Sequence, residues 1–111
     1  MEIRTAVRAL SALAQESRLK VFRLLVTCGP KGLAAGQIAR KLKVPANTMS
    51  SHLGILSNAG LVNSRKEGRS IIYAVDVEGT RALLSFLVED CCRGRSAICR
   101  PMIEAALVDC C

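Results

Sequence analysis

The chain has 111 residues, half of them hydrophobic, with one Tyr, two Phe, no Trp and a formal net charge of +7. This length fits one domain and leaves no room for a second one. The core must come from Leu, Val, Ile and Ala, which favours helices packed on helices. No apolar run reaches the length of a membrane span, and Arg4, Arg8 and Glu16 interrupt any signal-peptide core, so a cytoplasmic protein is expected.

Ile3, Ala6, Val7, Leu10, Leu13 and Ala14 recur at the spacing of one helical stripe, which predicts a first helix over about residues 2–14. Ser17 is placed to cap a second helix with Val21, Phe22 and Leu25 on one face, ending at "CGPKG". A third helix, "LAAGQIARKL", buries Ala35, Ile38, Ala39 and Leu42. "KVPAN" then turns the chain, because Pro45 cannot continue a helix and drives Val44 to extended geometry.

The fourth helix, "ANTMSSHLGILSNAG", has two unlike faces. Met49, Leu53 and Leu56 form an inner stripe; Asn47, Ser50, Ser51, Gly54 and Asn58 form a short, hydrogen-bonding outer one, with Gly60 as a left-handed end. Two β-rich runs follow, Leu61–Arg65 and Arg69–Val75, in which Ile71, Tyr73 and Val75 alternate with Ser70, Ala74 and Asp76. They predict a two-stranded hairpin with Arg65, Lys66 and Arg69 at its tip and Gly68 in its turn. A fifth helix, about Glu78–Asp90, carries Leu83, Leu84, Phe86, Leu87 and Val88, too many for one buried stripe. Beyond it, Pro101 starts a short apolar helix.

The charge is uneven. Residues 1–77 hold 12 Lys/Arg against 4 Asp/Glu, whereas residues 78–111 hold 4 against 5. Two short helices joined by a tight turn, the second polar outside and followed by a basic hairpin, make a winged helix-turn-helix. The basic part suits a polyanion, and double-stranded DNA is the expected partner. Asn47, Thr48, Ser50 and Ser51 offer short donors and acceptors to base edges, while Arg65, Lys66, Arg69, Arg40, Lys41 and Lys43 suit phosphates. His52, the only histidine, fits packing or a phosphate contact better than a metal site. A solvated polar face is the bland alternative for any one of these residues; their order along the chain favours DNA.

Six cysteines in a reducing compartment do not read as a disulfide framework. Cys91 and Cys92 are adjacent. Their Cα atoms, ~3.8 Å apart, fall short of the usual ~4.4–6.8 Å disulfide separation. Such a pair is a poor disulfide but a good chelate, and Gly94 gives the chain a hinge on which Cys99 can return as a third sulfur. Three soft thiolates select a thiophilic ion, and arsenic(III), or antimony(III), prefers three sulfurs where zinc wants a fourth ligand. Arg93, Arg95 and Arg100 favour the thiolate, while Asp90 and the helix C-terminus oppose it. Cys28 reads as a small buried apolar residue, and Cys110 and Cys111 as a second vicinal pair at a terminus.

"ALAQESRLKVFRLL", "IARKLKVPANTMSSHLGILSNAGLV" and "KEGRSIIYAV" together resemble the ArsR/SmtB family of winged-helix metalloregulatory repressors, over about residues 6–92. The resemblance implies a homodimer through helices 1 and 5, which would use the surplus apolar surface of helix 5, and an imperfectly palindromic operator with one fourth helix per half-site. The "CC…C" pattern after helix 5 is similar to that of arsenic-responsive members. Cysteines in the third helix and His in the fifth, which other members use, are absent.

The expectation is therefore a mainly α, dimeric winged helix-turn-helix of five main helices, a β-hairpin wing and a short C-terminal helix. Residues 1–92 form the DNA-binding and dimerisation domain and 93–111 a cysteine-containing extension. Its function would be release from the operator when As(III) binds Cys91, Cys92 and Cys99. A thiol-redox or sulfide-responsive repressor is the alternative within this class, and a metalloid-sequestering protein the one outside it. No nucleophile and base pair, and no CxxC, points to an enzyme.

Overall fold

The computed structural model describes residues 1–92, 101, 102 and 104–106. Helices α1 (Ile3–Leu13) and α2 (Glu16–Cys28) are followed by a 3-10 turn (Gly29–Lys31) and the short strand β1 (Leu33–Ala34). Then come α3 (Ala35–Leu42), α4 (Ala46–Asn58), β2 (Val62–Glu67), β3 (Ser70–Val75) and α5 (Val77–Cys92). Pro101, Met102 and residues 104–106 are helical, as the Pro101 reading anticipated. Among the described residues no helix is long and apolar enough to cross a membrane.

Val21, Leu25, Ile38, Met49, Leu53 and Leu56 are almost wholly buried and tie α2, α3 and α4 into one core. The inner stripe of α4 is thus the predicted one. Helix α1 buries a different side from most of its large apolar stripe. Ala6, Ala9 and Ala12 face the core, while Ile3, Val7 and Leu10 are 66%, 55% and 41% exposed. Alanine has no side chain beyond Cβ, so it allows α1 to lie close on its neighbours. The larger residues, ranked first by hydrophobicity, take the outer side.

The cap of α2 also differs from the sequence reading. Gln15, not Ser17, is the N-cap of α2: its Oε1 accepts from the Arg18 amide at 2.8 Å, and Ser17 lies inside the helix. Arg18 then reaches back, and its Nε donates to the Ala12 carbonyl at 2.7 Å, so one of the last carbonyls of α1 gains a cationic partner. Asp76 caps α5, its Oδ1 accepting from the Gly79 amide at 2.9 Å. A Cβ on Gly79 would overlap the Gly60 carbonyl oxygen, so this glycine lets α5 start hard against the end of α4.

The sheet has three strands in the order β1-β3-β2, all antiparallel, and not two. Leu33 and Ala34, expected to open the third helix, pair with Tyr73 and Ile72 instead. In β2 and β3, Val62 pairs with Val75 and the register runs to Glu67 and Ser70 at the turn. Gly68 takes a positive φ of 63° at the first loop position, as a two-residue hairpin turn of the II′ kind requires. Ala74 is the buried residue of β3. Ile71 is exposed because the ribbon extends beyond the core.

Candidate nucleic-acid interface

Helices α3 and α4 are joined by Lys43, Val44 and Pro45. Lys43 adopts the left-handed region (φ 56°), the Val44 amide donates to the Ala39 carbonyl at 3.0 Å, and the Lys43 amide to Arg40 at 3.3 Å. This double hydrogen bond closes α3 and re-aims the chain into α4. It places Arg40, Lys41 and Lys43, all exposed, immediately before the first turn of α4.

On α4, Asn47, Thr48, Ser50, Ser51 and Asn58 are exposed on the side away from Met49, Leu53 and Leu56. The Asn47 Oδ1 accepts from the Thr48 amide at 2.9 Å, which orients the side chain and leaves its NH₂ group to donate outward. Ser51 Oγ donates to the Asn47 carbonyl at 3.4 Å. His52 is half-buried, and its Nδ1 is buried with no hydrogen-bond partner among the described residues, consistent with its ring packing inward.

The wing places its basic residues unequally. Arg69 sits in the turn and Lys66 one residue before the end of β2, both exposed; Arg65 lies further back, opposite Ile72. It is thus not at the tip. Its guanidinium pairs with Glu67 and donates to the carbonyls of Pro30 (3.1 Å) and Lys31 (2.8 Å). Between Ser17 and Lys66 the sequence has no Asp or Glu, so α3, α4 and the first part of the wing present cations and neutral donors alone. Such a surface attracts phosphates without a repulsive term.

Of the cysteines, Cys28 is half-buried at the end of α2. Cys91 and Cys92 are the last two residues of α5, which runs further than the sequence pattern suggested. Cys99, Cys110 and Cys111 lie outside the described residues, as do Arg93, Gly94, Arg95 and Arg100. Helix α5 also carries Leu84 and Leu87, 60% and 49% exposed, and packs beside α1.

A helical pair, a polar second helix and a basic three-stranded wing define the winged helix-turn-helix class of DNA-binding protein. A helix-turn-helix domain family matches residues 13–65, from the end of α1 into β2. The transcriptional activator HlyU of Vibrio cholerae is 32% identical over 82 residues, 74% of this chain and 73% of that protein. A structure of reduced HlyU has a TM-score of 0.62, at 30% identity, over 78% of this chain and 87% of that one. A Halobacterium salinarum protein named "Putative arsenical resistance operon repressor ArsR" is 35% identical over 79 residues, 71% of this chain and 60% of that protein. The homodimeric winged helix-turn-helix DNA-binding domain of Mb0332 from Mycobacterium bovis has a TM-score of 0.64 at 27% identity, over 82% of each chain. The chain belongs to the ArsR/SmtB family of winged-helix transcriptional regulators. It is a DNA-binding regulator rather than an enzyme.

Proposed function

We propose that this regulator is an As(III)-responsive repressor: a cytoplasmic homodimer that covers its operator and is released when Cys91, Cys92 and Cys99 are ligated. The observation that carries the reading is the position of the vicinal pair. Cys91 and Cys92 end α5, which carries the exposed Leu84 and Leu87 and packs against α1, whose Ile3, Val7 and Leu10 are exposed. Burial of these residues against a second copy would remove large apolar side chains from water, each worth roughly 1.5–3 kcal/mol when fully buried. This supports α1 and α5 as the dimer contact, in line with the homodimeric Mb0332 domain.

The donor set fits the inducer: three thiolates with no imidazole suit As(III) or Sb(III) better than a hard cation. Residues 1–92 would carry DNA binding and dimerisation, with 93–111 an extension that supplies Cys99. In the operator complex Asn47, Thr48, Ser50 and Ser51 would lie along the major groove, with Arg40, Lys43, Lys66 and Arg69 on phosphates and His52 packing beneath them or touching a phosphate. Ligation at the end of α5 changes the DNA-bound population only through a difference in affinity between the two dimer states. DNA must therefore weaken inducer binding by the same factor.

The test is a titration of the reduced protein on labelled DNA from upstream of its own gene, with arsenite, antimonite, zinc, cadmium and peroxide added separately. Release by arsenite or antimonite alone is the expected result. Cys91→Ser, Cys92→Ser and Cys99→Ser should each keep DNA binding and lose release; retained release in all three singles would remove the assignment. The second reading, a thiol-redox repressor, draws on the likeness to HlyU, a protein with a structure specified as reduced. Release by peroxide but not arsenite would favour it.

A further inference from the structure

The wing is a ribbon whose two faces carry different charges for different purposes. Side chains alternate along a strand, and directly paired residues share a face. Asn63, Arg65 and Glu67 therefore share one face with Ala74, Ile72 and Ser70, while Ser64 and Lys66 share the other with Tyr73 and Ile71. Arg65 and Lys66 cannot both face the same phosphate path.

Arg65 starts on β2, at one edge of the β1-β3-β2 sheet, and ends at the turn that leads into β1 at the opposite edge. Its side chain thus crosses β3. All three guanidinium nitrogens are engaged: Nε with Glu67, one terminal nitrogen with the Pro30 carbonyl and the other with Lys31. These carbonyls close the 3-10 turn after α2, where unpaired acceptors favour a cation. The anchor itself is firmly seated, because Gly32 has a φ of +67° and any Cβ there would strike the Tyr73 carbonyl.

We propose that Arg65 is a positioning residue that straps the wing to the Pro30–Lys31 turn and so sets its angle to α4, while Lys66 and Arg69 make the wing's phosphate contacts. The planar fork of Arg meets two carbonyls and a carboxylate at once; Lys, a single point charge, cannot. Paired with Glu67, Arg65 also brings almost no net charge to DNA. This inference rests on the DNA-binding reading above.

The experiment compares Arg65→Ala, Arg65→Lys and Arg69→Ala on the same upstream duplex at several salt concentrations, together with amide exchange of the DNA-free protein. Arg65→Ala and Arg65→Lys should both weaken binding, by roughly tenfold, with the slope of log K against log salt unchanged. Arg69→Ala should lower that slope by about 0.9, one phosphate contact. In the free protein both Arg65 variants should speed exchange in β2, in β3 and at residues 29–34, with the global unfolding midpoint kept. Wild-type affinity in Arg65→Lys, or a slope reduced by Arg65→Ala, would make Arg65 a phosphate contact and overturn the proposal, as would unchanged exchange. A wild-type protein that binds no duplex would overturn the DNA reading instead, and exchange would still decide whether Arg65 holds the wing.

Discussion

Helices α1 and α4 both carry apolar residues at helical spacing, yet they use them in opposite ways. In α4 the large residues Met49, Leu53 and Leu56 are buried and most of the polar ones exposed, with Ile55 as the single large apolar side chain left in solvent, at 42% exposure. In α1 the buried residues are Ala6, Ala9 and Ala12, while Ile3, Val7 and Leu10 remain in solvent, as do Leu84 and Leu87 of α5. One helix leaves a single large apolar residue in solvent on an otherwise polar side; the other leaves three and is apolar on both sides. A helix that is apolar on two sides has a second surface to cover.

The sharpest way to break this comparison is to truncate one residue of each kind. Leu53→Ala, at a fully buried site, should lose roughly 2–5 kcal/mol of unfolding free energy, read as a fall in the denaturant midpoint. That is a large share of a small domain's stability. Leu10→Ala should move the midpoint of the isolated subunit little, since the side chain is already 41% exposed. If the two cost the same, α1 has no free face.

A charge on that face sharpens the point. Leu84→Asp leaves the monomer core intact but would bury an unpaired carboxylate in a dimer, which costs several kcal/mol. Sedimentation should show the variant as a monomer at concentrations where the parent is dimeric, and its operator affinity should fall by at least tenfold. A variant that stays dimeric would place the contact elsewhere.

What was legible beforehand follows the same division. The α4 faces, the breakers Pro45 and Gly60 and the Gly68 turn are local features, so spacing and residue type sufficed. The core-facing side of α1 has no signal in residue type, because hydrophobicity ranks Val7 and Leu10 above Ala9 and Ala12, whereas close packing on α1 rewards small size. Strand β1 has no signature of its own; two residues become a strand only by pairing with Tyr73 and Ile72, far along the chain. Arg65 reads as one more wing cation because the two carbonyls it holds are 34 and 35 residues away. Gln15 replaces Ser17 as the cap, two residues earlier, through a side chain long enough to reach the Arg18 amide.

A finer contrast lies within the helix-turn-helix. Both helices end with the same pair of hydrogen bonds: Val44 to Ala39 and Lys43 to Arg40 after α3, Leu61 to Leu56 and Gly60 to Ser57 after α4. Each needs a left-handed residue. At α4 it is Gly60, which takes φ 77° freely, but at α3 it is Lys43, whose Cβ makes φ 56° unfavourable by about 1 kcal/mol. If Lys43 is held there for its charge, Lys43→Gly should raise stability by about 0.5–1 kcal/mol and at the same time weaken DNA binding, with the salt slope lower by about 0.9. Both effects are small, but they have opposite signs, which a merely solvated lysine would not produce. A Lys43→Gly protein that is more stable and binds DNA with an unchanged slope would return Lys43 to the solvated surface and leave Arg40 and Lys41 as the cations of that turn.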